Sequence, residues 1–205
     1  ALGTPKSLLE AIEGADLIVS IGSRMDEVTS QSYAFPKAGQ DFIALHPESG
    51  LRCDVGETLR ALLDAAPQKT HERDWREAHA AYLASSAVPA SRSRFGTDPA
   101  RVIGALGRVL PEDAIVANDA GNSAGFLHRY YRYTWPGTQL APANGAMGYG
   151  LPAAVAAKLA RPEKTVISVS GDGGFLMTGQ EIETAVRHGL SLTVVVMRNG
   201  LHGRR

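Results

Sequence analysis

The chain has 205 residues, and its 21 Lys and Arg residues balance its 21 Asp and Glu residues. A chain of this length can bury a hydrophobic core as one domain or as two small ones. Its net charge of zero gives no electrostatic field that would draw the protein to nucleic acid or to an anionic membrane. Cys53 is the single cysteine, the histidines lack metal-ligand spacing, and no stretch is as long and apolar as a membrane span, so we expect a cytoplasmic protein without disulfides or zinc.

The first third of the chain predicts part of an α/β domain. A helix runs from Pro5 to Gly14, and the apolar segments DLIVSIG and DFIALH are typical of buried strands. The helix GETLRALLDAA follows and is stopped by Pro67. Helix, strand, strand and helix with short connections indicate a small parallel sheet in a domain over residues 1–66.

Residues 67–96 differ in composition from the segments on either side. HERDWREAHAAYLA is typical of one amphipathic helix, and the Ser, Pro and Gly residues that follow it are typical of a loop. We interpret this stretch as a linker with one helix. The alternative is a surface helix and loop inside a single domain.

Residues 97–205 alternate between helices and strands. The strand segments AIVAND, TVISVS and LTVVVMRN lack polar alternation and are separated by helices, which indicates a parallel sheet covered on both faces. The predicted fold class is therefore α/β, with parallel sheets flanked by helices in two incomplete doubly wound domains joined by a linker. The aromatic and basic segment FLHRYYRYTW is interpreted as packing or as an interface, because zero net charge argues against RNA binding.

One strand of this second region ends in the sequence GDGG. Asp172 follows the apolar run of the strand, and Gly173 and Gly174 allow a close approach of the backbone to a ligand. Ligands of open parallel sheets bind beyond the carboxyl ends of the strands. A phosphate beside Asp172 would be repelled unless a cation such as Mg²⁺ lay between them, so the pattern predicts a cation–diphosphate site.

The next strand provides a second oxygen ligand. Asn199 ends LTVVVMRN, one strand–helix–strand crossover after Asp172, and the carbonyl of Leu201 could be a third ligand. Between these strands, Thr178 and Glu181 fit a capping box at a helix start. The competing interpretation is a plain structural turn, because a glycine turn with an Asp is common.

The segment from GDGG to Asn199 resembles the thiamine-diphosphate-binding motif, in which GDG is followed by a spaced Asn. GAMGYGLPAA is similar to the pyrimidine-contacting stretch of acetolactate synthases and related 2-keto acid decarboxylases. Residues 1–66 resemble the latter part of the central domain of that family, and residues 97–205 the first part of its diphosphate-binding domain. The resemblance implies a lyase or transferase that decarboxylates or ligates small 2-keto acids.

The resemblance also implies roles for individual residues. Asp172, Asn199 and the Leu201 carbonyl would hold Mg²⁺. Gly173 and Gly174 would lie on the diphosphate.

Further positions match the remaining cofactor contacts. Gly121 and Asn122 would approach the diphosphate from a neighbouring strand end. Met147 would lie under the bent cofactor, and its amide and the Gly145 carbonyl would meet the pyrimidine edge. Without the resemblance, an ordinary core methionine is the better explanation of Met147.

The chain departs from the family pattern in two respects. The glutamate that protonates the pyrimidine lies in a family domain supplied by the neighbouring subunit, which implies a homodimer or tetramer with an interfacial active site. The chain carries no counterpart of that residue, and His202 stands where the family has an aromatic residue. We therefore assign no catalytic residue and expect no turnover by the 205 residues alone.

Two further expectations concern other ligands and classes. The segment from Ile21 to Glu27, which includes Arg24, is similar to the flavin-contacting segment of acetolactate synthases, so FAD is a possible second cofactor. The alternative to an enzyme is a non-catalytic nucleotide-binding or assembly module with the same fold.

Overall fold

The computed structural model describes residues 4–23, 25–27, 29–48, 50–65, 75–90 and 96–198. The chain divides into two compact units, and the division falls between Ser85 and Ser86. Each unit contains a parallel sheet together with helices, and in the second unit helices pack directly against the sheet, which confirms the predicted α/β fold class. No helix in these ranges is long and apolar enough to cross a membrane.

The first unit is built on a parallel sheet in the order β1-β2-β3. Its elements are α1 (Lys6–Glu13), β1 (Leu17–Ile21), β2 (Asp41–His46), β3 (Leu51–Arg52), α2 (Val55–Ala65) and α3 (Trp75–Ser85). The side-chain amide of Gln40 donates hydrogen bonds to the carbonyls of Ile12, at 2.9 Å, and Ala15, at 2.7 Å. Because helix ends leave carbonyls without partners, Gln40 closes the end of α1 and fixes the entry into β2.

Helix α3 contacts α1 and belongs to the first unit. It lies in the segment interpreted from sequence as a linker. The predicted domain bounds at residues 66 and 97 stay a prediction.

The second unit has four parallel strands in the order β5-β4-β6-β7. Its strands are β4 (Ile115–Asn118), β5 (Gln139–Leu140), β6 (Val166–Gly171) and β7 (Thr193–Met197). Its helices are α4 (Pro99–Val109), α5 (Asn122–Tyr130), α6 (Gly150–Ala160), α7 (Asp172–Thr178) and α8 (Glu181–Arg187). β5 has only two residues, too few for an apolar pattern to predict it.

Helices cover both faces of the second sheet. On one face, Ile103 of α4 and Leu127 of α5 pack with Val116, Ile167 and Val169 in a fully buried cluster. On the other face, Ala154 of α6 packs against Ile115, Ala117 and Val166. Successive strand residues point to opposite faces, so the unbroken apolar runs in the sequence follow directly from this double coverage.

The aromatic and basic segment forms most of α5 and the chain after it. The rings of Tyr131 and Tyr133 meet edge to face at 4.8 Å between centroids, and both pack against the core around Leu127. Burial raises the pKa of the Tyr133 hydroxyl far above its usual value. These contacts favour the packing interpretation of the segment.

The chain after β6 differs from the prediction. Helix α7, which begins at Asp172 itself, was not predicted, and the capping box at Thr178 and Glu181 is wrong, because α8 begins at Glu181 without a side-chain cap. Thr178 instead donates to the carbonyl of Gly148, and Glu181 accepts from Thr184. Gly189 follows the end of α8 with φ of 62°, in the left-handed region that favours glycine.

Candidate functional site

The carboxyl ends of the strands of the second sheet meet at one edge. Asn118 of β4 is in register with Val169 of β6, and Gly171 at the end of β6 is in register with Met197 of β7. The strands are parallel, so the residues that follow them emerge on the same side. This edge carries the start of α5 after β4 and the start of α7 after β6.

Asp172 lies at this edge as the first residue of α7. Its side chain is half-buried, and its Oδ1 accepts a hydrogen bond from the N–H of Gly173 at 3.1 Å. A Cβ placed on Gly171, just before it, would lie 3.5 Å from the hydroxyl of Ser123 in the first turn of α5. The Asp172 backbone is therefore next to the chain that leaves β4.

The turn between β4 and α5 depends on Gly121. Its φ of 107° and ψ of −170° lie in a region that only glycine adopts readily. A Cβ there would meet no atom within 4 Å, so the backbone conformation, and not crowding, requires glycine. Asn122 begins α5 and is exposed, and the N–H groups of the first turn of a helix have no intrahelical acceptors.

The turn that carries Gly145 and Met147 precedes α6. Gly145 and Gly148 have φ values of 69° and 85°, and the Met147 side chain is 41% exposed. The N–H of Gly148 donates to Oδ1 of Asp119 at 2.8 Å, and its carbonyl accepts from Oγ1 of Thr178 at 2.9 Å. Met147 therefore sits on a turn that is hydrogen-bonded both to the end of β4 and to the end of α7.

Sequence reasoning missed Asp119. Its side chain is fully buried, and Oδ1 accepts hydrogen bonds from the N–H groups of Ala120 and Gly148, both at 2.8 Å. Oδ2 has no hydrogen-bond partner within the described ranges. The signal was present in the segment AIVAND, where an acid ends an apolar strand just as Asp172 follows β6.

Asp119 explains the glycine at position 174. A Cβ on Gly174 would overlap Oδ2 of Asp119 and lie 2.7 Å from its Cγ. α7 can pack this closely on the buried carboxylate only with glycine there. This is a different reason from the ligand contact inferred from sequence, and that contact stays a prediction.

The structure brings most of the predicted site residues to one region. Those on the sheet edge are Gly121, Asn122, Asp172, Gly173 and Gly174, and Gly145 and Met147 are tied to it through Gly148. Asn199 and Leu201 lie outside the described residues, so the full set of metal ligands stays a prediction. Arg24 and His202 also lie outside them.

The groups at the edge fit a diphosphate bound through a divalent cation. Asp172 supplies one carboxylate, the kind of oxygen ligand that Mg²⁺ takes together with phosphate oxygens and water. The open space beside Gly121 and the amides at the start of α5 can receive phosphate oxygens.

Comparisons with known proteins agree with this geometry. Residues 119–204 match the family described as thiamine pyrophosphate enzyme, C-terminal TPP binding domain, thiamine pyrophosphate being another name for thiamine diphosphate. The large subunit of acetolactate synthase isozyme 3 from Escherichia coli is 31% identical over 206 residues, which cover 92% of this chain and 36% of the relative. A probable 2-ketoarginine decarboxylase from Pseudomonas aeruginosa is 30% identical over 201 residues, covering 93% of this chain and 36% of the relative.

A solved structure shares the fold. The thiamine diphosphate-dependent 4-hydroxybenzoylformate decarboxylase of Rhodococcus jostii RHA1 superposes with a TM-score of 0.72 at 23% identity, over 95% of this chain and 38% of that one. The chain thus spans little more than a third of the length of the relatives that it matches. By these matches residues 119–204 form a region similar to the C-terminal TPP-binding domain of thiamine pyrophosphate enzymes, and the chain is similar over most of its length to part of the large subunit of acetolactate synthase.

Proposed function

We propose that this chain forms part of an enzyme that decarboxylates or ligates small 2-keto acids with thiamine diphosphate and Mg²⁺. The observation that carries the proposal is the position of Asp172. It follows the end of β6, with β7 paired in parallel on one side and the Gly121 turn after β4 on the other. This is the sheet edge at which an open α/β fold binds its ligands.

Asp172 is proposed to hold the Mg²⁺ ion together with the Asn199 side chain and the Leu201 carbonyl. The parallel pairing of β6 with β7 supports this ligand set, because Asn199 follows Met197, which is in register with Gly171. The ion neutralises the repulsion between the Asp172 carboxylate and the phosphate oxygens. Without the ion, the carboxylate would oppose diphosphate binding.

Backbone amides are proposed to bind the diphosphate. The open conformation at Gly121 and the short distance from the Gly171 backbone to Ser123 support a pocket between the starts of α5 and α7. The proposed contacts are Gly121, Asn122, Gly173 and Gly174.

Met147 and Gly145 are proposed to bind the ring portion of the cofactor. The 41% exposure of Met147 argues against the alternative of an ordinary core methionine. Its apolar side chain can support an aromatic ring, and the Gly145 carbonyl can accept a hydrogen bond from an amino group. Thiamine diphosphate supplies the carbanion chemistry itself, and these residues bind and orient it.

The remaining elements of the proposal concern the whole protein. An active site at the interface of a homodimer or tetramer is proposed from the resemblance to acetolactate synthases, whose large subunit the chain matches over 36% of its length. That the 205 residues turn over no substrate by themselves stays a prediction, as does FAD binding by the segment around Arg24. The visible absorbance spectrum of the purified protein would test for the flavin.

A thermal-shift titration tests the proposed function. We expect thiamine diphosphate to raise the melting temperature only when Mg²⁺ is present. At a ligand concentration a hundred times the dissociation constant, binding should stabilise the folded protein by about 2.7 kcal/mol. Asp172→Asn should abolish the shift, because an amide keeps the shape of the carboxylate and removes its charge. Asp64→Asn, at an exposed position of α2, is the matched control and should leave it unchanged.

Two results would contradict the proposal. One is an equal shift of the melting temperature with and without Mg²⁺. Without the ion, the Asp172 carboxylate should repel the diphosphate, so an equal shift would mean that the ion does not lie between them. The other is a shift with ATP or NAD and none with thiamine diphosphate, which would support the non-catalytic nucleotide-binding module. Release of CO₂ from pyruvate by the whole protein, measured with Asp172→Asn as control, then tests the reaction itself.

A further inference from the structure

We propose that Asp119 and Thr178 are positioning residues, which together fix the turn carrying Met147 at a set place relative to Asp172. The proposal rests on the proposed function, because it assigns the ring portion of the cofactor to Met147 and its diphosphate portion to Asp172. The ligand class is an aromatic heterocycle joined to a diphosphate, and the two residues set the spacing between the sites for its two ends.

Gly148 is the point at which both residues act. Its N–H belongs to the peptide unit that it shares with Met147, and this N–H donates to Asp119 at 2.8 Å. Its carbonyl, on the other side of the residue, accepts from Thr178 at 2.9 Å. Hydrogen bonds thus hold both peptide units around Gly148, one from the end of β4 and one from the end of α7.

The packing around Gly148 leaves the turn little freedom to move. With φ at 85°, the position favours glycine, and a Cβ there would lie 3.1 Å from Cγ2 of Thr178 and 3.3 Å from Cβ of Met177. Those distances are tighter than ordinary van der Waals contact. The Met147 turn therefore lies directly against the last turn of α7.

Helix α7 links the proposed binding sites for the two ends of the ligand. Its first residue is Asp172 and its last is Thr178, and it is only seven residues long. Asp119 contacts the same helix in its first turn, where its carboxylate lies against the Gly174 backbone. One buried carboxylate and one hydroxyl thereby link the Met147 turn to the helix that carries the metal ligand.

Asp119 and Thr178 differ in how well the fold can tolerate their substitution. Asp119 is fully buried, so Asp119→Ala would remove the acceptor of two backbone N–H groups, and the protein could fail to fold. Thr178 is only partly buried. Thr178→Val removes the hydroxyl and keeps the shape, whereas Thr178→Ser keeps the hydroxyl.

The test compares two ligands in three variants. Calorimetry would measure binding of thiamine diphosphate and of inorganic pyrophosphate, each with Mg²⁺, to the protein and to Thr178→Val, Thr178→Ser and Thr184→Val. Thr184→Val is the matched control, since its hydroxyl bonds to Glu181 of the same helix. Hydrogen exchange of the Gly148 amide would report on the turn without any ligand.

We expect Thr178→Val to weaken thiamine diphosphate binding about tenfold, the effect of one hydrogen bond, and to leave pyrophosphate binding unchanged. Its Gly148 amide should exchange faster, because the turn loses one of its two bonds. Thr178→Ser and Thr184→Val should bind both ligands as the unsubstituted protein does.

Unchanged binding of thiamine diphosphate by Thr178→Val would overturn the inference alone. So would an equal loss for pyrophosphate, since the substitution would then act on the diphosphate end or on overall stability. If the unsubstituted protein binds neither ligand, the proposed function is refuted and the inference with it.

Discussion

The substitution Gly174→Ala separates the packing seen in the structure from intrinsic helix propensity. Gly174 is a buried residue of α7, and an added Cβ would overlap Oδ2 of Asp119 and lie 2.7 Å from its Cγ. Asp119 cannot move aside without losing its hydrogen bonds to Ala120 and Gly148. The added methyl group must therefore push α7 away from β4.

Helix propensity and packing change the stability of Gly174→Ala in opposite directions. In an open helix, replacing glycine by alanine would stabilise the fold by about 1 kcal/mol. Overpacking of a tight buried site costs about 1–3 kcal/mol, and an immobile buried carboxylate favours the upper end of that range. We therefore expect Gly174→Ala to lower the free energy of unfolding by about 2 kcal/mol, or the melting temperature by roughly 4–8 °C.

Urea denaturation measures this change, provided that the dependence of the unfolding free energy on urea concentration is the same in both proteins. Gly107→Ala in α4 is the control, because a Cβ there would lie 3.9 Å from the Tyr131 ring, an ordinary contact, and it should stabilise the protein. If Gly174→Ala is as stable as the original protein or more so, the close approach to Asp119 is refuted. Combining it with Asp119→Ala should cost less than the sum of the two single changes, and additive costs would also contradict the reasoning.

Three further substitutions test other contacts. Gly121→Ala should destabilise the protein by about 1–3 kcal/mol in urea denaturation through its backbone conformation alone, and no change would argue against the φ of 107°. Lys164 donates a hydrogen bond to Asp113 and so holds the pKa of that carboxyl below its usual value. The pair therefore stabilises the fold above about pH 4, and this stabilisation is lost as the pH falls through the lowered pKa. The stability difference between the protein and Lys164→Met should therefore fade in acid, and a difference independent of pH would contradict this. Gln40→Leu should cost about 1–3 kcal/mol by removing the side-chain donor that bonds the carbonyls of Ile12 and Ala15, and unchanged stability would refute its role at the end of α1.

The sheet of the second unit was predictable because β4 and β6 are buried on both faces, and because the partly buried β7 carries the same kind of apolar run. The apolar runs around Val116, Ile167 and Val195 leave no polar alternation, and glycines and helices separate them. β5 could not be predicted, because a two-residue strand has no period and forms only through its pairing with β4.

Helix α7 was missed for a physical reason. Two consecutive glycines after Asp172 disfavour a helix by propensity, so the sequence indicates a turn. The helix forms there because packing overrides propensity, since only glycine at position 174 lets the backbone approach Asp119. The same packing gives Thr178 a partner in Gly148 instead of the predicted helix cap.

The candidate site was predictable where its residues follow strand ends. Asp172 and the Gly121 turn do so, and parallel pairing then brings them to one edge. Asp119 follows a strand end too, but its role depends on contacts with Gly148 and Gly174, which are distant in sequence. Local patterns carry no information about such contacts, so only the structure reveals them.

Asp172 is proposed to hold a divalent cation on which a diphosphate binds. Crystals of the protein grown with thiamine diphosphate and Mn²⁺, a substitute for Mg²⁺ that scatters anomalously, would locate that cation. We expect one anomalous peak about 2.1 Å from a carboxylate oxygen of Asp172, with diphosphate oxygens in the same coordination shell. A bound diphosphate with its Mn²⁺ peak away from Asp172 would refute the proposed site.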